Sequence, residues 1–374
     1  MAVLFVPKEM GDTRVAAVPD TVRRLVKLGF TVLIQSGAGA DAGITDARFV
    51  DAGATIVPDT ASLAEADVVA QINPPSLAQV KQMKAGALLI SLLWPKTNPD
   101  LLQALIAQKV TVFAMDQIPR ISRAQSMDAL SSQANIAGYK ASLIAADMLP
   151  RLMPLMMTAA GTITPARFVV MGAGVAGLQA VATARRLGAV VEVSDVRSVV
   201  KEQVESLGAR FIEVEGAEDF EGAGGYAKEA SADFLQRQRE EVARRVAVSD
   251  AVITTALIPG RPAPKLVTKE MVESMRPGSV IVDLAAEQGG NCELTKPGEV
   301  VEHNGVKIIG YKNLPGMVPF HASDVYAKNV QNVLLLLFPK GELNLDFEDE
   351  IIAGSIVAHE GAAWSPDMAA GGAK

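Results

Sequence analysis

Phe168 to Arg197 reads FVVMGAGVAGLQAVATARRLGAVVEVSDVR, and the fold is decided there. The apolar run Phe168–Met171 reads as a strand buried on both faces. Gly172-Ala173-Gly174-Val175-Ala176-Gly177 follows, then a helical pattern with Leu178, Val181, Ala184 and Leu187 on one side and Gly188 to stop it. A second β-branched run, Val190–Val193, leads to Asp195. Strand, glycine turn, helix, strand and acid are the context that a dinucleotide-binding fingerprint needs. Gly172 permits the tight turn, Gly174 allows close approach of a pyrophosphate, and Gly177 permits close helix–strand packing. The helix amino end then offers free N–H groups and partial positive charge to phosphates. Asp195 lies about 20 residues on, where a carboxylate accepts ribose hydroxyls and repels the extra phosphate of NADP. The competing reading, a glycine turn that binds nothing, leaves the placement of that acid without a reason.

The surrounding chain has 374 residues, room for two domains or more. Hydrophobic residues make up 49% and charged residues 21%, as in a globular enzyme, and only 5% are aromatic, so the core is aliphatic. A net charge of −7 argues against nucleic acid as a partner. The one cysteine, Cys292, excludes an internal disulfide and suits a reducing compartment. No segment reads as a secretory leader or a spanning helix: Val333–Phe338 is too short, and Asp147, Arg151 and two prolines interrupt Ala141–Thr164.

Before the fingerprint, apolar strands alternate with helices. Strands are expected at Val3–Val6, Thr31–Gln35, Thr55–Val57, Asp67–Ile72, Ala87–Leu93 and Val110–Met115, with helices between them. This predicts a doubly wound parallel sheet without a phosphate loop of its own. Gly37-Ala38-Gly39 lacks the full fingerprint and reads as a turn. Pro119–Asp128, PRISRAQSMD, then breaks the apolar texture with two cations, an amide and an acid. A long crossing helix is expected from about Ser126 to Met148, ended by Pro150. Met153, Met156 and Met157 read as packing residues in an apolar linker.

Beyond the fingerprint, a helix near Lys201–Leu207 and a strand at Arg210–Val214 are expected. The segment 215–225, EGAEDFEGAGG, has no periodicity and reads as a lid, with Tyr226 at its tip. A charged helix from Ala227 to Val246 follows. Strands at Asp250–Ala256, Ser279–Leu284 and Val306–Ile309 bring the second sheet to six. Leu257 and Ala285-Ala286-Glu287 follow strands and are candidates for nicotinamide-side contacts. A returning helix is expected from Val325 to Leu337. Leu343–Phe347, Ile351-Ile352 and Ile356-Val357 read as a hairpin that packs on another surface, and Gly371–Lys374 as a frayed end. The domains come out as 1–130 plus 325–374, with a C-terminal hairpin, and 131–324. The fold class is α/β, two Rossmann-like domains joined by a long helix.

No metal-ligand pattern is present: the three histidines, His303, His321 and His359, are scattered, and CxxC and HExxH are absent. A reaction that needs no acid or base fits these parts, namely direct hydride transfer between two nicotinamides. The protein has only to hold the rings close and aligned.

The chain resembles the NAD(H)-binding alpha subunit of proton-translocating nicotinamide nucleotide transhydrogenase. PRISRAQSMDALSSQANIAGY at Pro119–Tyr139, GAGVAGLQA, SDVR with KEQVESLGA, GGYAKE, TTALIPGRPAPKL and VIVDLAAEQGGNCE carry the likeness, in order, along nearly the whole chain. The resemblance implies that Arg120 and Asp128 pair and brace the loop, and that Arg120 and Ser131 contact the nicotinamide half. Gln125 would reach towards NADP(H) held by the partner subunit, which makes Gln125, Arg120 and Asp128 the catalytic set. Gly172, Gly174, Val175, Ala176 and Gly177 would hold the phosphates, and Asp195, Val196 and Arg197 the adenosine ribose. Gly225, Gln238 and Leu257 would be further contacts, with Tyr226 closing on the nucleotide. The implied partners are a membrane-spanning and an NADP(H)-binding subunit, together with a second copy in a homodimer. The implied location is peripheral, on the cytoplasmic face of the plasma membrane.

A related family, alanine dehydrogenase, shares Pro7-Lys8-Glu9, Arg14 and the fingerprint. Its substrate lysine and catalytic histidine are replaced here by Asn73 and Leu92, and Glu287 replaces an aspartate. A stand-alone amino-acid oxidoreductase of that type is the alternative reading.

Overall fold

The computed structural model describes residues 2–214, 232–257 and 261–365. The chain divides into two compact units, Met1–Gln133 with Gly316–Lys374, and Ala134–Pro315.

The first unit opens with six strands: β1 (Val3–Val6), β2 (Thr31–Gln35), β3 (Thr55–Val57), β4 (Val68–Ala70), β5 (Leu88–Ser91) and β6 (Thr111–Ala114). Helices α1 (Pro19–Lys27), α2 (Asp46–Asp51), α3 (Leu77–Gln82) and α4 (Pro99–Ala107) connect most of them. Leu4 and Val6 of β1 enter one apolar core while Phe5 enters another, so both faces of the sheet are covered. That is why these strands read as continuous apolar runs.

The polar segment after β6 forms a 3-10 turn, Ser122–Met127, and α5 (Ala129–Met148) starts only after it. The helix expected from Ser126 therefore begins three residues later. Asp128 is the reason: its carboxylate accepts the Ser131 backbone N–H at 2.9 Å and the Ser131 hydroxyl at 2.6 Å, a side-chain cap that fixes the first turn. Residues 129–133 of α5 belong to the first unit and the rest to the second.

In the second unit β7 (Met156–Thr158) and β8 (Gly161–Ile163) form a separate antiparallel ribbon. Met153 is buried as expected, but Met156 and Met157 are exposed on this ribbon, because alternate residues of a two-stranded ribbon have no core to enter. The main sheet follows: β9 (Arg167–Met171), α6 (Val175–Arg186), β10 (Val190–Ser194), α7 (Lys201–Ser206), β11 (Arg210–Phe211), α8 (Ala232–Val246), β12 (Ala251–Thr254), α9 (Lys269–Ser274), β13 (Val280–Asp283), β14 (Val300–His303) and β15 (Val306–Ile309). Its order is β11-β10-β9-β12-β13-β15-β14. The expected six strands are joined by a seventh, β14, antiparallel at the edge. The strand expected to reach Val214 keeps its ladder only over Arg210–Phe211, opposite Glu192 and Val193. Residues 215–231, with the lid expected at 215–225, Gly225 and Tyr226, lie outside the described residues, and so do 371–374.

The chain returns to the first unit as α10 (Pro319–Leu337), which starts six residues before the expected Val325 with Pro319 in its first turn. The expected tail hairpin is partly overturned. Leu343–Phe347 is not a strand, and α11 (Glu350–Ser355) buries Ile351 and Ile352, with Asp349 capping through the Ile351 N–H at 2.8 Å. β16 (Ile356–His359) then pairs antiparallel with β6 and turns into β17 (Ala362–Ala363). A short-period apolar pattern fits a helix as well as a strand, and here the cap decides. The first sheet runs β17-β16-β6-β5-β4-β1-β2-β3. In both large sheets the first strand, β1 or β9, lies between the second and the fourth, so the strand order reverses beside it. Among the described residues no helix is long and apolar enough to cross a membrane.

Candidate functional site

The glycine turn joins β9 to α6 at the reversal point of the second sheet. Gly172 has φ of +102°, and a Cβ there would lie 2.6 Å from the Thr255 hydroxyl. A Cβ on Gly177 would lie 1.8 Å from the Gly172 carbonyl oxygen. Neither position accepts a side chain. A Cβ on Gly174 would point into open space, and Gly174 caps α6 with no side-chain bond. The amino end of α6 carries no acid in its first turn, and Val175 is exposed beside it. Donors, dipole and clear space are what a pyrophosphate requires, so the turn fits the group.

Asp195 follows β10 and closes over this turn. One carboxylate oxygen accepts the Ala173 N–H at 2.7 Å, which ties the acid to the phosphate turn itself. The Arg197 guanidinium pairs with both oxygens, at 2.9 and 2.8 Å, and the Arg197 N–H adds a further bond at 2.9 Å. Each oxygen thus accepts two bonds, the full capacity of a carboxylate. Any further donor reaches Asp195 only by displacing one of these bonds. Gln238 on α8 donates to the Asp195 carbonyl at 3.2 Å, which draws three of the expected residues together at one strand end. Val196 is half-buried between Asp195 and Arg197.

Leu257 is 38% exposed on the loop after β12. That loop is held from both sides. The Thr255 hydroxyl donates to the Gly172 carbonyl at 3.1 Å, and the Asn291 side chain pairs with both polar groups of Ala256, at 3.0 and 2.8 Å. Asp283, at the end of β13 and fully buried, accepts from the Thr254 and Thr295 hydroxyls and from the Ala285 and Cys292 N–H groups. Sequence reasoning missed Thr255, Asp283 and Asn291. The one available signal was an acid ending the apolar run VIVDL. Ala285 and Ala286 are buried and offer no surface to a ligand, whereas Glu287 is exposed.

Gly138 on α5 was also missed. A Cβ there would lie 2.0 Å from the Ala176 carbonyl oxygen, so α5 packs directly on the first turn of α6. The Ser142 hydroxyl donates to Ala180 at 2.8 Å one turn further on.

The other expected residues lie in the first unit. Arg120 and Gln125 are exposed on the polar segment, and Asp128 and Ser131 form the helix cap already described. Arg123 forms a two-pronged pair with Asp349, at 2.6 and 2.8 Å, which holds the segment to the start of α11. The same pair draws the Asp349 carboxyl below its usual range.

A separate buried cluster sits at the carboxyl ends of β1 and β4. Arg14 pairs with both oxygens of Asp12, at 3.0 and 2.6 Å, and donates to Gln133 at 2.8 Å. The Asn73 amide bridges Glu9 and Asp12, at 3.1 and 3.0 Å. Burial alone would raise the Asp12 pKa, but bonds to Arg14, its charge and the bond to Asn73 outweigh that and lower it to about 2. Burial pushes the Glu9 carboxyl up. Around Gly37, Asp46 accepts the Gly37 N–H at 2.9 Å, so this turn is filled by the chain's own carboxylate.

Two Rossmann-like units, one of them carrying a complete dinucleotide turn, define the class: a two-domain nicotinamide-nucleotide oxidoreductase. Residues 5–137 match the family model described as "Alanine dehydrogenase/PNT, N-terminal domain", and residues 141–366 match the corresponding C-terminal domain. The chain belongs to the alanine dehydrogenase/PNT family. It is 50% identical over 382 residues to an NAD(P) transhydrogenase subunit alpha polypeptide of Rhodospirillum rubrum, covering 99% of this chain and 100% of that protein. The solved transhydrogenase from Sinorhizobium meliloti is 45% identical, with a TM-score of 0.89 over 96% of this chain and 99% of that one. The alanine dehydrogenase of Bacillus subtilis is 30% identical over 327 residues, 85% of this chain and 80% of that protein.

Proposed function

We propose that this chain is the NAD(H)-binding alpha subunit of a proton-translocating transhydrogenase, passing hydride between NADH and NADP⁺ held by a partner subunit. With both nucleotides bound, one hydride leaves a dihydronicotinamide for a nicotinamide, and no proton is gained or lost at the reacting carbons. The α6 turn grips the pyrophosphate. Asp195, Val196, Arg197 and Gln238 select the adenosine ribose, with Leu257, Gly225 and Tyr226 as further contacts. Arg120, Asp128 and Ser131 serve the nicotinamide end, and Gln125 aligns it with the partner's ring.

The state of Arg14 carries the choice against an amino-acid dehydrogenase. Its guanidinium is committed to Asp12 and Gln133, and the neutral Asn73 is committed to Glu9 and Asp12. A small carboxylate substrate seeking that cation would have to evict a buried internal carboxylate. Full-length identity to transhydrogenase subunits points the same way. Reconstitution with an NADP(H)-binding subunit tests the reading: hydride exchange between NADH and an NADP analogue is expected. Turnover of any amino or oxo acid by the chain alone would replace this reading with the dehydrogenase.

The reading carries a homodimer, peripheral on the cytoplasmic membrane face, with proton movement in a membrane-spanning partner. Met157 is 79% exposed on the β7–β8 ribbon, an apolar surface that a second copy would cover. Met157→Glu is expected to shift sedimentation from dimer towards monomer.

A further inference from the structure

α10 is an apolar helix that nevertheless buries an asparagine. Asn329 is only 6% exposed, and both polar atoms of its side chain are used. Its amide donates to the Ser126 carbonyl at 2.9 Å, and its carbonyl accepts the Ser132 hydroxyl at 2.7 Å. Asn332, on the same face of α10, donates to the same Ser126 carbonyl, also at 2.9 Å. A carbonyl oxygen has two lone pairs, and here each takes an amide N–H.

Ser126 directly follows Gln125 in the 3-10 turn, and Ser132 directly follows Ser131 in the first turn of α5. One side chain therefore grips both arms of the corner whose apex is Asp128. Gln133 extends the grip: its amide donates to the Ala322 carbonyl of α10 at 3.1 Å and its carbonyl accepts from Arg14. All of these contacts lie within the first unit. The exposed Gln125 side chain has a doubly bonded carbonyl immediately behind it.

From this geometry we infer that Asn329 and Asn332 are positioning residues for hydride transfer, which fix the backbone that aims Gln125. The inference rests on the proposed role of Gln125. Hydride transfer between rings is steep in distance and angle, so a slack corner costs rate while leaving grip on the nucleotide intact.

The test uses the full chain reconstituted with its NADP(H)-binding partner. It measures NADH affinity by equilibrium titration and hydride transfer under single-turnover conditions. Asn329→Leu is expected to slow transfer at least tenfold with NADH affinity within twofold. Asn332→Leu should slow it less, because Asn329 still holds Ser126. Asn329→Asp keeps the acceptor for Ser132 but sets an oxygen against the Ser126 carbonyl; it serves as the shape-preserving variant should leucine prevent folding, and the same slowing is expected.

In a Gln125→Asn background, Asn329→Asp should add no further slowing. Wild-type transfer rates in the asparagine variants would overturn the inference. A loss that multiplies with that of Gln125→Asn would overturn it too, since the asparagines would then act elsewhere. Gln125→Asn alone at wild-type rate would instead overturn the underlying role of Gln125, a separately read result.

Discussion

Replacing Asp195 with alanine removes a carboxylate that does two jobs. It pins the phosphate turn through the Ala173 N–H, and it engages the Arg197 guanidinium with two bonds. Both side chains are largely buried, 6% and 13% exposed, so the pair is shielded from solvent. Breaking a buried pair from one side costs about 3 kcal/mol, because the remaining charge loses its partner. The variant should therefore melt several degrees lower. Loss of the charge-assisted bonds to the ribose, about 1.5–3 kcal/mol, predicts NADH affinity about 10- to 100-fold weaker. NADPH behaves differently. Its extra phosphate no longer meets a carboxylate, and the guanidinium at the same strand end is released to receive it. The NADH/NADPH preference should fall by more than NADH affinity itself falls. Arg197→Ala should move the preference the other way, since the carboxylate stays and the cation goes. Fluorescence titration of both nucleotides against wild type, Asp195→Ala, Asp195→Asn and Arg197→Ala provides the assay, with thermal unfolding as the control. An unchanged preference in a folded Asp195→Ala protein would refute the ribose assignment.

Gln125→Asn should leave NADH affinity within about twofold and slow hydride transfer in the reconstituted complex, because a shorter amide still binds water but no longer reaches its target; collapse of equilibrium binding would assign it to grip instead. Gly138→Ala drives a methyl group into the Ala176 carbonyl, so α5 and α6 must move apart; a loss of about 1–3 kcal/mol in chemical denaturation and weaker NADH binding are expected. Asp12 has a folded pKa of about 2, below its ordinary value of 3.8, so it adds stability above pH 4 that is lost as pH falls towards 2. Asp12→Asn should cost about 2 kcal/mol at pH 7 and flatten that part of the acid-unfolding curve. Glu9, whose pKa is raised, acts with the opposite sign: its contribution is present at low pH and fades as pH rises through the folded value.

The fingerprint, the parallel strands and the class of ligand were legible in the sequence because each rests on local chemistry. A strand buried on both faces is a run of apolar residues, and a phosphate turn is a spacing of glycines. Those rules act over a few residues and survive transfer from one chain to another. What failed was of another kind. The tail was misread because Ile351 and Ile352 suit a strand or a helix equally, and the choice fell to the Asp349 cap and to an open edge at β6. The start of α5 was misplaced because the Asp128 side chain, rather than any periodicity, ends the turn before it. Only the tertiary structure showed that Asp195 is already paired with Arg197, that Asn291 braces Ala256 and that Asn329 holds Ser126. The last two of these contacts join residues far apart in the chain through side chains of ordinary type, and an asparagine in an apolar helix does not announce which carbonyl it will find. The sequence by itself determined the parallel strands of both sheets, the glycine turn and the nucleotide-binding class; the long-range pairing of polar groups, set by where the folded backbone leaves donors and acceptors without water, was decided by the tertiary structure alone.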